Sequence, residues 1–112
     1  MTEGDESVHH RAAEAFARRV RDRYGDAVEA VILYGSVARD EQRGPDSDVD
    51  LLVVLKDGVD RAEYERRVRE LAYDVELDRG VVLSLLVLTA SEYQQGTPFL
   101  RQVRGDAERL HG

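Results

Sequence analysis

An α/β (α+β) fold, a small mixed β-sheet packed by helices, is what this sequence predicts, on three observations. Two apolar runs of strand length, Val28 to Tyr34 and Val49 to Leu55, stand close together and are rich in β-branched residues. Segments with helical spacing of apolar residues flank the pair, and a third apolar run, Val81 to Leu88, follows the second such segment. Helical and extended patterns that alternate in this way pack as helices on a sheet.

From Ser7 to Tyr24, the residues Val8, Ala12, Phe16, Val20 and Tyr24 recur at i, i+4 between Arg and Glu, which predicts an amphipathic helix ended by Gly25-Asp26. The first strand, Val28 to Tyr34, stops at Gly35, and the second opens at Val49. Asp57-Gly58 is a turn signal. Tyr64, Val68, Leu71, Ala72 and Val75 then mark a second long helix that ends near Asp78, before Gly80. Its Arg and Glu residues, including the run Arg61 to Arg69, alternate at the spacing of a solvated, salt-bridged face. After the third strand, Thr89 to Glu92 can start a short helix, and Gly96-Thr97-Pro98 introduces a weakly apolar last segment, Phe99 to Leu110, taken as helical.

Only 14 residues separate Tyr34 from Val49, too few for a comfortable crossover helix, so the first two strands are expected to be antiparallel. The connection from Asp57 to Gly80 carries a whole helix and lets the second and third strands lie parallel, which makes the sheet mixed. With 112 residues and no internal repeat or linker, a single domain spanning 1–112 is expected.

Composition narrows the function classes. The chain has no cysteine, which removes disulfides, thiolate metal sites and a cysteine nucleophile. A polar, acidic N-terminus and the shortness of the longest apolar run predict a soluble, cytoplasmic protein without a membrane span. A net charge of −7 argues against general nucleic-acid binding, although a single phosphate group is compatible with it. The histidines His9, His10 and His111 lie near the termini and are not expected to serve as ligands or catalysts.

The chemistry concentrates in "VILYGSVARDEQRGPDSDVDLLVVL", residues 31 to 55. In a strand, Asp48 and Asp50 at i and i+2 point to one face with Cα atoms about 6.5 Å apart. Two such carboxylates repel unless a cation lies between them, and Mg²⁺ is held by this kind of pair together with water and substrate phosphates. A calcium loop starting at Asp46 is excluded, because its sixth and twelfth positions would be Leu51 and Asp57 instead of Gly and Glu. Gly35-Ser36, leaving the first strand, supplies close backbone approach and a hydroxyl, the elements of a phosphate seat.

With Gly35, Ser36, Ala38, Arg39, Asp48 and Asp50 in place, the chain resembles the minimal nucleotidyltransferases, the MNT domains of the DNA polymerase β-like superfamily. The resemblance implies a polymerase β-like core and a nucleoside triphosphate substrate. It also implies two Mg²⁺ ions held by Asp48 and Asp50, and a Gly35-Ser36 turn that grips the β- and γ-phosphates. The activity implied is transfer of a nucleoside monophosphate, AMP from ATP, to an acceptor hydroxyl. The partner implied is a HEPN-domain protein, for which chains of this size resemble antitoxins; self-association is left open.

Three departures from the family pattern stand out. Eleven residues lie between Ser36 and Asp48, one more than usual, around Arg43-Gly44-Pro45, and Asp40 replaces a customary glycine. More consequentially, the third strand offers Ser84 where the family carries a third carboxylate, and Asp74, Glu76 and Asp78 belong to the preceding helix. A hydroxyl cannot act as the missing base, so the alternative function is a catalytically weak or silent module that binds nucleotide or partner.

Overall fold

The computed structural model describes residues 7–39 and 48–111. Asp40, Arg43-Gly44-Pro45 and Asp46 lie outside the described residues. The elements are α1 (Val8–Tyr24), β1 (Val28–Tyr34), α2 (Gly35–Ala38), β2 (Val49–Leu55), α3 (Arg61–Arg79), β3 (Leu83–Thr89), α4 (Ala90–Tyr93), α5 (Pro98–Asp106) and β4 (Glu108–His111). They form one four-stranded sheet in the order β3-β2-β1-β4. β1 and β2 pair antiparallel and β2 and β3 parallel, so the expected mixed sheet forms.

β2 is central and covered on both faces. Leu51, Val53 and Leu55 join Val31, Leu33 and Val87 under α1 and α3, through Phe16, Val20, Val68 and Val75. Leu52 and Val54 join Ala30 and Ile32 beneath Ala90 of α4 and Leu100 and Val103 of α5. An apolar run without alternation is the signature of such a strand, because both sets of side chains leave water.

Local chemistry sets the helix ends. The Ser7 hydroxyl accepts from the His10 N–H at 2.9 Å, and the Asp60 carboxylate accepts from the Glu63 N–H at 3.1 Å. Gly80 adopts φ +72° and closes α3. Thr89 and Glu92 cap α4 reciprocally, with the Thr89 N–H donating to Glu92 at 2.9 Å.

Two expectations need correction. The segment Phe99 to Leu110 is not all helix: the chain turns extended at Ala107 (φ −74°, ψ 144°), and Glu108–His111 pairs antiparallel with β1. A four-residue edge strand of polar composition carries no period-two pattern, so its identity comes from the backbone groups of β1. The α1 stripe also differs, since Val8 is 57% exposed while His9 is 6% exposed and joins Ala12, Phe16 and Val20 inside. A strict i, i+4 series drifts by about 40° per step around a helix of 3.6 residues per turn, and over α1 that drift carries Val8 off the buried face.

β3 is an edge strand, and side chains from α3 occupy part of its open edge. The Leu83 N–H donates to Glu76 Oε2 at 2.8 Å, and Arg61 Nη2 donates to the Val87 carbonyl at 3.0 Å. Unpaired strand groups invite a further strand, and these contacts blunt that tendency. Among the described residues, no helix is long and apolar enough to cross a membrane.

The corrected stripe is directly testable. Phe16→Ala is expected to cost about 3 to 5 kcal/mol in urea unfolding. Val8→Ala, at an exposed position, is expected to stay within about 0.5 kcal/mol of the native chain.

Candidate active site

The ladder registers bring three side chains into line at one end of the sheet. Tyr34, the last residue of β1, lies opposite Asp50 of β2, and Ser84 of β3 lies level with Asp50 on its other side. Residues level with one another in adjacent strands share a face. This is the face carrying α5, because Leu52, next but one after Asp50, packs there. Ser84 is exposed, not buried beneath a helix, and projects to the side of Asp50. Asp48 immediately precedes β2 and is exposed.

None of the acids of α3 supplies a third carboxylate. α3 packs on the opposite face of the sheet. Glu76 is engaged with the Leu83 N–H, and Asp78 accepts from Arg19 at 3.4 Å. Among the described residues, no group of three or more His, Asp or Glu side chains is placed to hold a metal ion.

Gly35 turns the chain out of β1 at φ +78°, in the left-handed region. A Cβ built there would lie 3.1 Å from Cγ and 3.3 Å from Cβ of Asp50, and closer still to its Oδ2. Glycine is therefore required twice over, by the backbone angle and by the close approach of the carboxylate. Ser36 follows in the short helix α2, so the Gly-Ser turn and Asp50 are brought together as the sequence implied.

Between this turn and α5 opens a cleft of about 340 Å³, lined by Tyr34, Gly35, Ser36, Arg39, Asp50, Phe99, Gln102 and Val103. The rings of Tyr34 and Phe99 meet edge to face, with centroids 5.8 Å apart at 86°. Sequence reasoning missed Tyr34, Phe99 and Gln102 as parts of the site. Thr97-Pro98 is a readable helix start, but no spacing rule connects that helix with a strand end more than sixty positions earlier.

Two groups of the cleft, Asp50 and Tyr34, are shifted by their surroundings. Burial raises its pKa above the usual carboxylate range, the Asp48 charge raises it further, and Arg39 partly offsets both. Burial also raises the Tyr34 hydroxyl, with Asp50 adding to the effect. The cleft thus sets one carboxylate beside a guanidinium, hydroxyls and an aromatic wall, groups able to meet both positive and negative charge on a ligand.

A helix-packed mixed sheet with a cleft at a strand end is the setting, and comparison with known proteins gives the class. The chain belongs to the Nucleotidyltransferase domain family, whose profile matches residues 13–105. No curated protein matches the chain. Among solved structures, one described as a minimal nucleotidyltransferase is 26% identical over 88% of this chain and 89% of its own, with a TM-score of 0.58. A toxin–antitoxin structure with AMP-PNP is 20% identical over 88% of this chain and 73% of that one, with a TM-score of 0.61. A third structure holds a tri-AMPylated HEPN toxin of Shewanella oneidensis in complex with an MNT antitoxin; the likeness is 18% identical over 89% of this chain and 72% of that one, with a TM-score of 0.50. The two toxin–antitoxin likenesses, at these identities, speak for the fold.

The Asp50 shift has a definite sign in stability. A carboxyl whose pKa is raised by folding binds its proton more tightly in the native state, so stability falls as pH rises from the ordinary carboxylate range through the raised value. Asp50→Asn should therefore gain stability relative to the native chain across that window and hold a constant gain above it, as read from urea midpoints at a series of pH values. A difference independent of pH would mean that folding leaves Asp50 unperturbed.

Proposed function

We propose that this chain, as a single-domain module of the cytoplasm, transfers a nucleoside monophosphate, AMP from ATP, to a hydroxyl of a HEPN-domain partner, using a divalent cation. The observation that carries the reading is the placement of Asp50, packed against Gly35 and facing Ser36 and Arg39 across one open cleft. The nucleotidyltransferase family gives the reaction class. The HEPN partner and the adenine nucleotide are suggested by the similar folds of the toxin–antitoxin structures.

The donor set fits a hard cation. Burial holds the Asp50 pKa above the usual carboxylate range and the neighbouring Asp48 charge raises it further, a repulsion that a divalent ion would relieve. Asp48 and Asp50 would hold Mg²⁺, with two ions expected when triphosphate is bound. When bound, the metal stabilises charge on the oxygens that attack and leave during an in-line displacement.

The chain's own groups bind and orient. Gly35 lets backbone donors come close to phosphate, Ser36 adds a hydroxyl, and Arg39 contributes a cation at the cleft wall. Tyr34 and Phe99 form an aromatic edge along one side of the cleft.

A second reading, a weak or silent module that binds nucleotide or partner, is favoured by one specific observation: the exposed hydroxyl of Ser84 stands level with Asp50. A serine there cannot take a proton from an attacking hydroxyl at neutral pH.

Incubating the purified chain with Mg²⁺ and each labelled triphosphate, with and without a HEPN partner, tests the proposal. Label is expected on the partner from ATP, and triphosphate is expected to raise the melting temperature only with Mg²⁺ present. Asp48→Asn should remove both effects while leaving the fold intact. A shift that survives Asp48→Asn would defeat the metal assignment, and binding without transfer would favour the silent reading.

Ser84→Asp separates the two readings further. Without metal, the added carboxylate should lower the melting temperature through repulsion by Asp50. With Mg²⁺ and triphosphate the loss should be recovered, and transfer should speed up by about 10² to 10⁴-fold if only a general base is missing. Absence of metal-dependent recovery would show that Ser84 does not occupy the vacant catalytic position.

A further inference from the structure

On the face of the sheet away from the cleft, α3 turns an uncovered stripe to solvent. Tyr73 is 59% exposed and Leu77, in the last turn of the helix, is 68% exposed, which leaves two large apolar side chains one turn apart in water. They continue a line that runs back through Glu70, Arg69 and Arg66 to Ala62, all exposed. Arg66, Arg69, Glu70, Tyr73 and Asp74 border a shallow groove of about 570 Å³ beside the Tyr73 ring.

From the order of residues along this stripe, we propose that α3 is a self-complementary docking surface whose occupant is a second copy of this chain, packed antiparallel about a two-fold axis between Arg69 and Glu70. In that register Ala62 faces Leu77 of the second copy, Arg66 faces its Tyr73, and Arg69 faces its Glu70. The same three contacts repeat on the other side of the axis, as an isologous interface requires. The small Ala62 leaves room for Leu77, and at the axis Arg69 and Glu70 meet their opposites. Asp74 comes level with Glu65, whose charge Arg69 already neutralises at 2.8 Å.

Hydrogen bonds within α3 leave free the groups this pairing needs. Arg66 donates from Nη2 to Glu63 at 2.9 Å and from Nη1 to Glu70 at 3.0 Å, so its fork is held at the edges while its flat face stays open to an aromatic ring. Arg69 spends Nε and Nη2 on Glu65, which leaves Nη1. Glu70 uses Oε2 for Arg66, which leaves Oε1. Among the described residues neither Arg69 Nη1 nor Glu70 Oε1 has a partner, and the proposed register joins them across the axis. Because these side chains are already ordered, the pairing loses less rotamer freedom than free surface residues would.

α3 is about 28 Å long at 1.5 Å per residue, so one helix pair buries less surface than the roughly 1,600 Å² of a standard stable interface. The dimer should accordingly be concentration-dependent, in the micromolar range. Since α3 and the Asp50 cleft lie on opposite faces of the sheet, both clefts of the dimer point outward.

Sedimentation velocity of the native chain over a concentration series, with two charge variants, tests this. The native chain should pass from monomer to dimer, and Tyr73→Ala should weaken the dimer about tenfold or more. Arg69→Glu alone sets Glu against Glu across the axis, and Glu70→Arg alone sets Arg against Arg, so each should be monomeric while circular dichroism shows α3 still folded. Mixed in equal amounts, the two variants should form a heterodimer, because every pair at the axis is then opposite in charge. A native chain that stays monomeric, a dimer that survives Arg69→Glu, or a mixture that stays monomeric would each overturn the proposal.

Discussion

The site depends on how β2 is held between its neighbours. Antiparallel pairing with β1 places Tyr34, and the Gly35 turn after it, against Asp50; parallel pairing with β3 places Ser84 on the other side. Both faces of β2 are buried, so a slip of one residue would exchange Leu51 and Leu52 between two differently packed cores and turn the Asp50 carboxylate toward the face under α1 and α3. Two clusters, one under α1 and α3 and one under α4 and α5, thus define the position of a single carboxylate. The core is the positioning device, and Asp50 is the point at which it meets solvent.

That position works against the stability of the apo protein. Asp50 is half-buried beside a second acid, and glycine is needed at position 35 to make room for its carboxylate. Local strain and like-charge crowding of this kind gather at functional sites, where a ligand relieves them. Two acids elsewhere are held the other way: Glu63 lies below its usual pKa because Arg67 and Arg66 donate to it, and Asp57 does so because Ser91 donates to it. The contrast sets Asp50 apart from an acidic surface in general.

The two faces of the sheet divide the labour of the molecule. On the α5 face, Tyr34, Phe99 and the Gly-Ser turn line a cleft of modest size. On the other face, α1 and α3 close the larger core, and α3 carries a lattice of Arg–Glu pairs at i, i+3 and i, i+4. Each exposed pair stabilises the helix only slightly. Their larger effect is to order long side chains on an outward surface, which is the precondition for that surface to recognise anything.

Much of this was legible in the sequence because it is local. The two apolar runs around "GS" and "DSDVD" mark strand ends, the loop length forces an antiparallel pair, and a whole helix before Val81 permits a parallel one; each inference uses neighbours in sequence. Asp48, Asp50, Gly35 and Ser36 could be named as candidates for the same reason, whereas Ser84 stood out only against the pattern of the family the chain resembles. What only the tertiary structure decided is non-local. β4 is a strand because β1 offers it backbone partners, not because "ERLH" has strand character. Phe99 and Gln102 reach the cleft because Leu100 and Val103 dock α5 onto Ile32 and Leu52. His9 replaces Val8 in the core because helical rotation and the position of the sheet, not hydrophobicity alone, choose which side of α1 is buried. Sequence periodicity shows that a face exists, and packing against the rest of the chain determines what that face touches.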